Sequence, residues 1–387
     1  MSTLRTIGTI ARREFAKIAA DRWTVAALTV IPLVTGIILA SIYAYQIVQD
    51  IPTVVIDYDG SAASRALARA LDSHESLRLI RTEAGERDAE SIVRSGDASC
   101  VVVVPEGFES SLKRGGQSPM ICFLNGSNMV LSNYALKAVS ATITTVTAGV
   151  AIEKLEKTGT PVTHALEAYA PISVNARYMF NPGQNYANFF IPGILAALLQ
   201  QIVVIGAALT WVREFRSGEI TELLGISRNV VVVITGKLLV YTLIGIVWSL
   251  FLFGGLFPLF GVPYSGSLIA GALSAVLMIV GMALLAMFIS SLFSHRETAM
   301  QVVFIVSSPA FLVSGYTFPQ FAMTGIIQWV GYIAPLTPFL TAWRRIVLYG
   351  GGMGDIGQEL AIIIITIIIY AALMMGVLKT RFRAIEG

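Results

Sequence analysis

The chain has 387 residues, of which 55% are hydrophobic and only 13% charged, and its mean hydropathy is +0.72. Soluble domains carry about 25% charged residues, so a chain this apolar cannot cover itself with polar surface, and lipid must be its solvent over much of its length. The net charge of +3 is small; no nucleic-acid partner is expected, and what matters is where the basic residues sit.

Residues 1–22 are amphipathic. Leu4, Ile7, Ala11, Phe15 and Ile18 recur at three- and four-residue spacing, with Arg5, Arg12, Arg13 and Lys17 between them. The pattern predicts a cytoplasmic helix in the membrane interface, its basic face toward headgroups; the plainer alternative is a basic anchor without a helix. A membrane-crossing helix needs about 20 mostly apolar residues. The first such run is Trp23 to Gln46, so residues 23–46 are expected to be the first transmembrane helix, too long for a signal peptide.

Residues 47–188 read as an extracytoplasmic α/β domain with a long helix. Thr53 to Asp57 is a β-branched run, Asp59-Gly60-Ser61 gives a turn and an N-cap, and Ala62 to Leu71 is helical. Leu77 to Thr82 is expected as a strand and Glu83 to Ser95 as a helix. Cys100 to Val104 is an apolar strand closed by Pro105-Glu106-Gly107-Phe108, and Met120 to Leu124 is another. Asn128 to Thr158 is expected as a helix; Lys137, Glu153, Lys154 and Glu156 place it outside the membrane. Cys100 and Cys122 have no zinc-ligand spacing. They can form one disulfide in an oxidising compartment, or be two small buried residues in neighbouring strands.

Residues 189–387 hold five further apolar runs: Phe189 to Trp211, Leu238 to Phe260, Ser267 to Ser290, Thr298 to Phe318 and Gly357 to Leu378. With the first run they predict six transmembrane helices. None has a charged residue in its middle, and Lys237 reads as the positive end of a span. The basic residues Arg213, Arg216, Arg228 and Lys237, then Arg296, then Lys379, Arg381 and Arg383 fall on the same side as the amino-terminal arginines if the spans alternate. The positive-inside rule makes that side cytoplasmic, both termini included. Residues 319–356 hold Trp329, Tyr332 and Trp343 among prolines and read as a re-entrant outer segment.

The cytoplasmic loop 212–237 is the most informative. Arg213, Glu214, Arg216, Gly218, Glu219 and Glu222 precede a Leu223-Leu224 pair; Glu214, Gly218 and Glu222 share a face if the segment is one helix, and Arg213 and Arg216 share another. Such a helix can carry force from a docked cytoplasmic partner, or be a solvated connector. No phosphate-cradling loop, nucleophile elbow or His-Glu-x-x-His helix occurs. His74, His164 and His295 are scattered, so no metal is expected. Asp355 and Glu359 share a face near an interface but have no His or Cys partner for catalysis. The spans lack the buried carboxylates that ion-coupled transport uses. Gln200, Gln201 and Gln301 either bond helices together or contact cargo.

Taken in order, several segments resemble the permease subunits of type-2 ABC exporters, in the bacterial subgroup with a large outer domain after the first span. They are Arg13-Glu14-Phe15, Asp21-Arg22 and Pro32; Ile51-Pro52-Thr53-Val54-Val55-Ile56-Asp57; Val104-Pro105-Glu106-Gly107-Phe108; Asn181-Pro182 before Phe189-Phe190-Ile191-Pro192-Gly193; and Pro335-Leu336-Thr337-Pro338 with Arg344 and Gly350. In the cytoplasmic loop Arg213-Glu214, Gly218 and Leu223-Leu224 match, while Arg216, Glu219 and Thr221 depart. The resemblance implies a non-enzymatic subunit without a cofactor of its own, ATP being bound by separate cytoplasmic ATPase subunits. It implies a second permease copy or paralogue, a bacterial inner-membrane location, and export of drugs, lipids or similar amphiphiles. A periplasmic adaptor is a further partner. The coupling residues would be those of the loop, and Gln200, Gln201, Gln301, Trp329 and Tyr332 would border the cargo path or outer gate. The rival reading is a non-transporting receptor that uses the α/β domain to bind a ligand.

Overall fold

The computed structural model describes residues 3–42, 48–80, 89–114, 116–158 and 179–386. The chain forms two compact units, one of residues 47–177 and one of residues 1–46 with 178–387.

Helix α1 spans Thr3–Ala20 and α2 spans Arg22–Ile42. Asp21 sets the break: its carboxylate accepts from Trp23 N at 3.1 Å and Thr24 N at 3.3 Å, capping α2. Of the apolar residues expected to align on α1, Ile18 is buried and others face outward. Leu4 and Phe15 are exposed, and the buried stripe is Ile10, Glu14 and Ile18, at four-residue spacing. The helix therefore packs on protein through a stripe with a carboxylate at its centre. Residues 43–46 of the expected first span lie outside the described residues.

The 47–177 unit is built on a sheet of β1 (Ile51–Asp57), β2 (Leu77–Leu79), β3 (Cys100–Val104) and β4 (Ile121–Leu124), in the order β2-β1-β3-β4. β1 runs parallel to β2 and β3, and β4 is antiparallel to β3. Helices α3 (Ala62–Asp72), α4 (Ala89–Ser95), α5 (Phe108–Arg114) and α6 (Met129–Thr158) complete it. Alternation along the strands divides the apolar side chains between two cores. Val102, Leu67, Leu71, Ala135 and Val139 form one, and Val54, Ile56, Val101 and Ile92 form the other. Ser61 caps α3, accepting from Ser64 N. The short helix α5 was not foreseen; Gly107, at φ +75°, turns the chain into it. The expected strand end at 81–82 and helix start at 83–88 lie outside the described residues.

The other unit continues through α7 (Tyr186–Ala207), α8 (Thr210–Ser217), α9 (Ile220–Ile226) and α10 (Val230–Ser249). A π-helical stretch, Leu250–Leu256, leads into α11 (Phe257–Phe260). Pro258 has no N–H to give to the preceding turn, and the helix widens before it. Next come α12 (Leu268–Leu292), α13 (Arg296–Ser307), α14 (Ala310–Val313), α15 (Gly325–Gly331), α16 (Leu336–Val347) and α17 (Gly357–Glu386). Helix α12 is apolar all round and mostly buried from Ala270 to Ser291, and α7, α10, α16 and α17 pack on it. Small residues permit close approach: a Cβ on Gly281 would lie 2.9 Å from Pro335 Cγ.

Among the described residues five helices are long and apolar enough to cross a membrane. Six runs were expected. The difference is the run from Thr298 to Phe318, which folds as α13 and α14 with the chain interrupted at Ser308-Pro309. Residues 319–356 form short helices and turns, α15 and α16 among them.

Candidate functional site

The charged side chains gather where α1 crosses α10. Gly236 makes that crossing possible: a Cβ there would lie 2.8 Å from Ile10 Cβ and 3.1 Å from Ile7 O. With the backbones this close, the next residue of α10, Lys237, meets Glu14, one turn beyond Ile10. Lys237 Nζ donates to Glu14 Oε2 and, at 2.7 Å, to Glu214 Oε1 of α8. Tyr241, one turn further along α10, donates its hydroxyl to Glu14 Oε1. The Lys237 ammonium also stands 5.3 Å from the Trp211 ring centroid. Side-chain exposure is 1% for Lys237, 3% for Glu14 and 0% for Glu214, so the trio is closed to solvent.

Two more cations of α1 surround Glu214. Arg13 donates to Glu214 Oε1 at 2.7 Å and Lys17 Nζ stands 3.0 Å from it. Arg13 then reaches past α8 to Glu222 Oε2 at 3.0 Å and the Glu219 carbonyl at 3.1 Å, and Lys17 pairs with Glu219. The burial of Arg13 acts against its charge, but its bonds to Glu214 and Glu222 outweigh that and raise its pKa above the ordinary arginine value.

A second clip lies at the α1–α2 break. Asp21 Oδ2 pairs with Arg213 at 3.0 Å and Arg296 at 3.4 Å, and Arg213 also donates to the Thr24 hydroxyl. Burial alone would raise the Asp21 pKa. The hydrogen bonds from Thr24 and the two guanidinium charges outweigh it and hold the group below the ordinary carboxylate range. A depressed carboxylate contributes its stability in full above its unfolded pKa, ~4 for Asp. The contribution fades only as pH falls through the lower folded value. A cleft of ≈ 590 Å³ opens beside this clip, lined by Lys17, Asp21, Arg213, Arg216, Glu219 and Arg296.

The single helix expected for the loop does not form. Gly218 adopts φ +71° and ends α8, and α9 starts at Ile220. Glu214 and Glu222 therefore do not share one helix face; Arg13 of α1 joins them instead. Glu214 is turned into its own chain, whereas Arg216, Gly218, Thr221 and Glu222 are exposed, Glu222 at 67% of its side chain. Residues 230–237, expected in the loop, are the first two turns of α10. Lys237 is thus a buried charge inside a helix rather than the positive end of one.

The remaining expected residues are dispersed. Gln200 is buried and donates to Ser307 O at 2.9 Å, and Ser307 Oγ donates to Gln201 Oε1 at 3.1 Å, so both glutamines bond α7 to α13. Gln301 is exposed on α13, and Trp329 is 79% exposed. Tyr332 donates to Gln320 Oε1 at 3.3 Å. Glu359 pairs with Arg345 at 2.9 Å, and Asp355 accepts from Gly352 N. Cys100 and Cys122 are free thiols with sulfurs 3.5 Å apart, on adjacent strands two residues out of register. His164 lies outside the described residues. Among the described residues no group of three or more His, Cys, Asp or Glu is placed to hold a metal.

Glu14, Lys237 and Tyr241 were missed as site residues. Their local signals were slight: a carboxylate inside the Ile10–Ile18 stripe, and a Gly-Lys step inside an apolar helix. The crossing itself can be tested. Gly236→Leu is expected to destabilise the unit by about 1–3 kcal/mol through overpacking against Ile10, read as a lower unfolding temperature in detergent. An unchanged temperature would show that α1 can leave α10 freely.

The pattern of the ABC-2 family transporter proteins matches residues 22–375 of the chain. YbhR of Escherichia coli K12, described as a probable multidrug ABC transporter permease, is 24% identical over 370 residues, 91% of this chain and 92% of that protein. YbhS of the same strain, described in the same words, is 25% identical over 296 residues, 75% of this chain and 74% of that protein.

Proposed function

The chain belongs to the ABC-2 family of transporter proteins, and we propose that it is the permease half of an ATP-driven exporter. On this reading it moves amphiphilic or hydrophobic cargo, such as drugs or lipids, out of the cytoplasm or inner leaflet. Two permeases, identical or paired with a paralogue, assemble with two separately encoded ABC ATPase subunits in the bacterial inner membrane. The six crossings are α2, α7, α10 with α11, α12, the interrupted pair α13 and α14, and α17. Both termini are cytoplasmic, and the α/β unit is outside, where a periplasmic adaptor can reach it.

The observation that carries this reading is a loop whose Arg216, Gly218, Thr221 and Glu222 are exposed, while Arg13, Lys17 and Lys237 brace it from behind through the buried Glu214. The named relatives are permeases, and a permease without a nucleotide site takes its energy from a partner. A segment that is open outward and anchored inward to both α1 and α10 is suited to pass force into the bundle. The test is the complex of this chain with its ATPase in proteoliposomes. ATP hydrolysis stimulated by cargo, with ATP-dependent cargo movement, is the expected result. Failure to bind any ABC ATPase would overturn the reading.

An outer, oxidising location adds an expectation for the cysteines. A mild oxidant should consume both thiols within one chain, read as a loss of two hydrogens from the intact mass without dimers. Cys100 is buried, and its Cys122 neighbour and then burial raise its pKa, whereas the bond with Cys100 lowers that of Cys122, so Cys122 is the thiol expected to react first. Two free thiols after oxidation would exclude the bridge.

A further inference from the structure

Two adjacent arginines end α16, and their surroundings differ. Arg345 has counter-charge: it pairs with Glu359 at 2.9 Å and donates to Asp355 O at 2.7 Å. Arg344 has none. Among the described residues no carboxylate lies within ion-pair distance of it; one of its terminal nitrogens donates to Tyr316 O at 2.6 Å, and its Nε is buried without an acceptor.

The Arg344 guanidinium is nevertheless held in place. It stands 4.4 Å from the Tyr316 ring centroid and 5.7 Å from that of Phe189. Tyr316 is fixed in turn, since its hydroxyl donates to Phe189 O at 2.7 Å and its ring lies over Gly193, where any Cβ would overlap it. Ring faces attract a cation but do not neutralise it. A partly buried, immobilised cation without a counter-ion is costly in a low-dielectric setting, and such groups in membrane proteins mark ligand or ion paths. A cleft of ≈ 240 Å³ opens on it, lined by Ser314, Tyr316, Thr341, Arg344, Arg345 and Tyr349. Leu312 and Phe318, flanking Ser314–Tyr316 in sequence, are exposed apolar side chains.

We infer that this cleft binds the oxyanion head group, phosphate or carboxylate, of an amphiphile, with Arg344 as its counter-ion. The head group enters beside the guanidinium, and the apolar tail lies along the Leu312 and Phe318 surface. The same chemistry is offered by a resident anionic lipid and by an anionic single-chain cargo. Only the cargo case rests on the export reading above; binding does not, because it needs no ATPase.

The test uses the purified full chain in a neutral polyoxyethylene detergent, with native mass spectrometry to count bound molecules. Four probes are compared: dodecyl phosphate, dodecyl maltoside, phosphatidylglycerol and diacylglycerol, the second and fourth lacking the oxyanion. At least one anionic probe should bind about 10-fold more tightly than its neutral counterpart, the scale of one charge-assisted contact. Preference for phosphatidylglycerol alone identifies a resident lipid, and preference for dodecyl phosphate identifies a single-chain ligand. Arg344→Gln should abolish the preference, Arg344→Lys should keep most of it, and Arg383→Gln, at the far end of α17, should leave it intact. Equal binding of anionic and neutral probes by the unaltered chain would overturn the inference, as would a preference that survives Arg344→Gln. The first of these outcomes needs no variant to fold.

Discussion

Replacement of Lys237 by methionine is expected to destabilise the helical unit by about 3–5 kcal/mol, the usual cost of removing one partner from a buried ion pair. Methionine keeps the unbranched stem and suits a helix interior, so lost packing contributes little. What is lost is the ammonium that joins Glu14 to Glu214. Glu14 then keeps only the Tyr241 hydroxyl, and two carboxylates are left buried near each other. The effect should appear as a lower unfolding temperature and as faster proteolysis of α1. Glu14→Gln combined with Lys237→Met removes the stranded Glu14 charge, Glu214 keeping Arg13 and Lys17, so the double variant should recover part of the loss. A Lys237→Met protein within about 0.5 kcal/mol of the original, the range for surface changes, would mean that the cluster is not a buried ion network.

Glu214→Lys is expected to be at least as damaging, for a different reason. It places a fourth cation among Arg13, Lys17 and Lys237, all of which now converge on Glu214 Oε1. Attraction becomes repulsion at hydrogen-bond distance in a site closed to water, where screening is weak. The predicted result is separation of α1 from α8, with lost stability and lost export together. Glu222→Lys is the informative contrast, because that side chain is 67% exposed. Its effect on stability should stay below about 1 kcal/mol, as for an exposed ion pair. Its effect on ATPase pull-down should be large, because a reversed charge at a protein interface costs about 2–5 kcal/mol when desolvated. Equal loss of stability in both variants would erase the distinction between an inner brace and an outer docking face.

The chain displays its apolar helices and its strands openly, because both follow from composition over short windows. The β-branched run at Ile51–Asp57 and the unbroken Cys100–Val104 could be read directly, and the long runs around α7, α10, α12 and α17 likewise. The interruption at Ser308-Pro309 was harder to see, since hydropathy averages across a proline. The site was legible only as a charged loop. Glu14, Glu214 and Lys237 are brought together by a helix crossing between residues more than 200 positions apart, and no local period encodes that. The one-residue device that permits it, Gly236 against Ile10, looks in sequence like any glycine in an apolar helix. Gly218 misled in the opposite way. It keeps the four-residue spacing of Glu214 and Glu222 while its left-handed backbone ends the helix between them.

The proposed entry of force at Arg216 to Glu222 is tested most directly by cross-linking in the assembled complex. A photoreactive phenylalanine placed at the exposed Thr221 should give one covalent product with the mass of this chain plus an ABC ATPase subunit. The same group at Met353, in the short turn before α17, should give none. An ATPase adduct from Met353, or none from Thr221 in a complex that still hydrolyses ATP, would contradict the account.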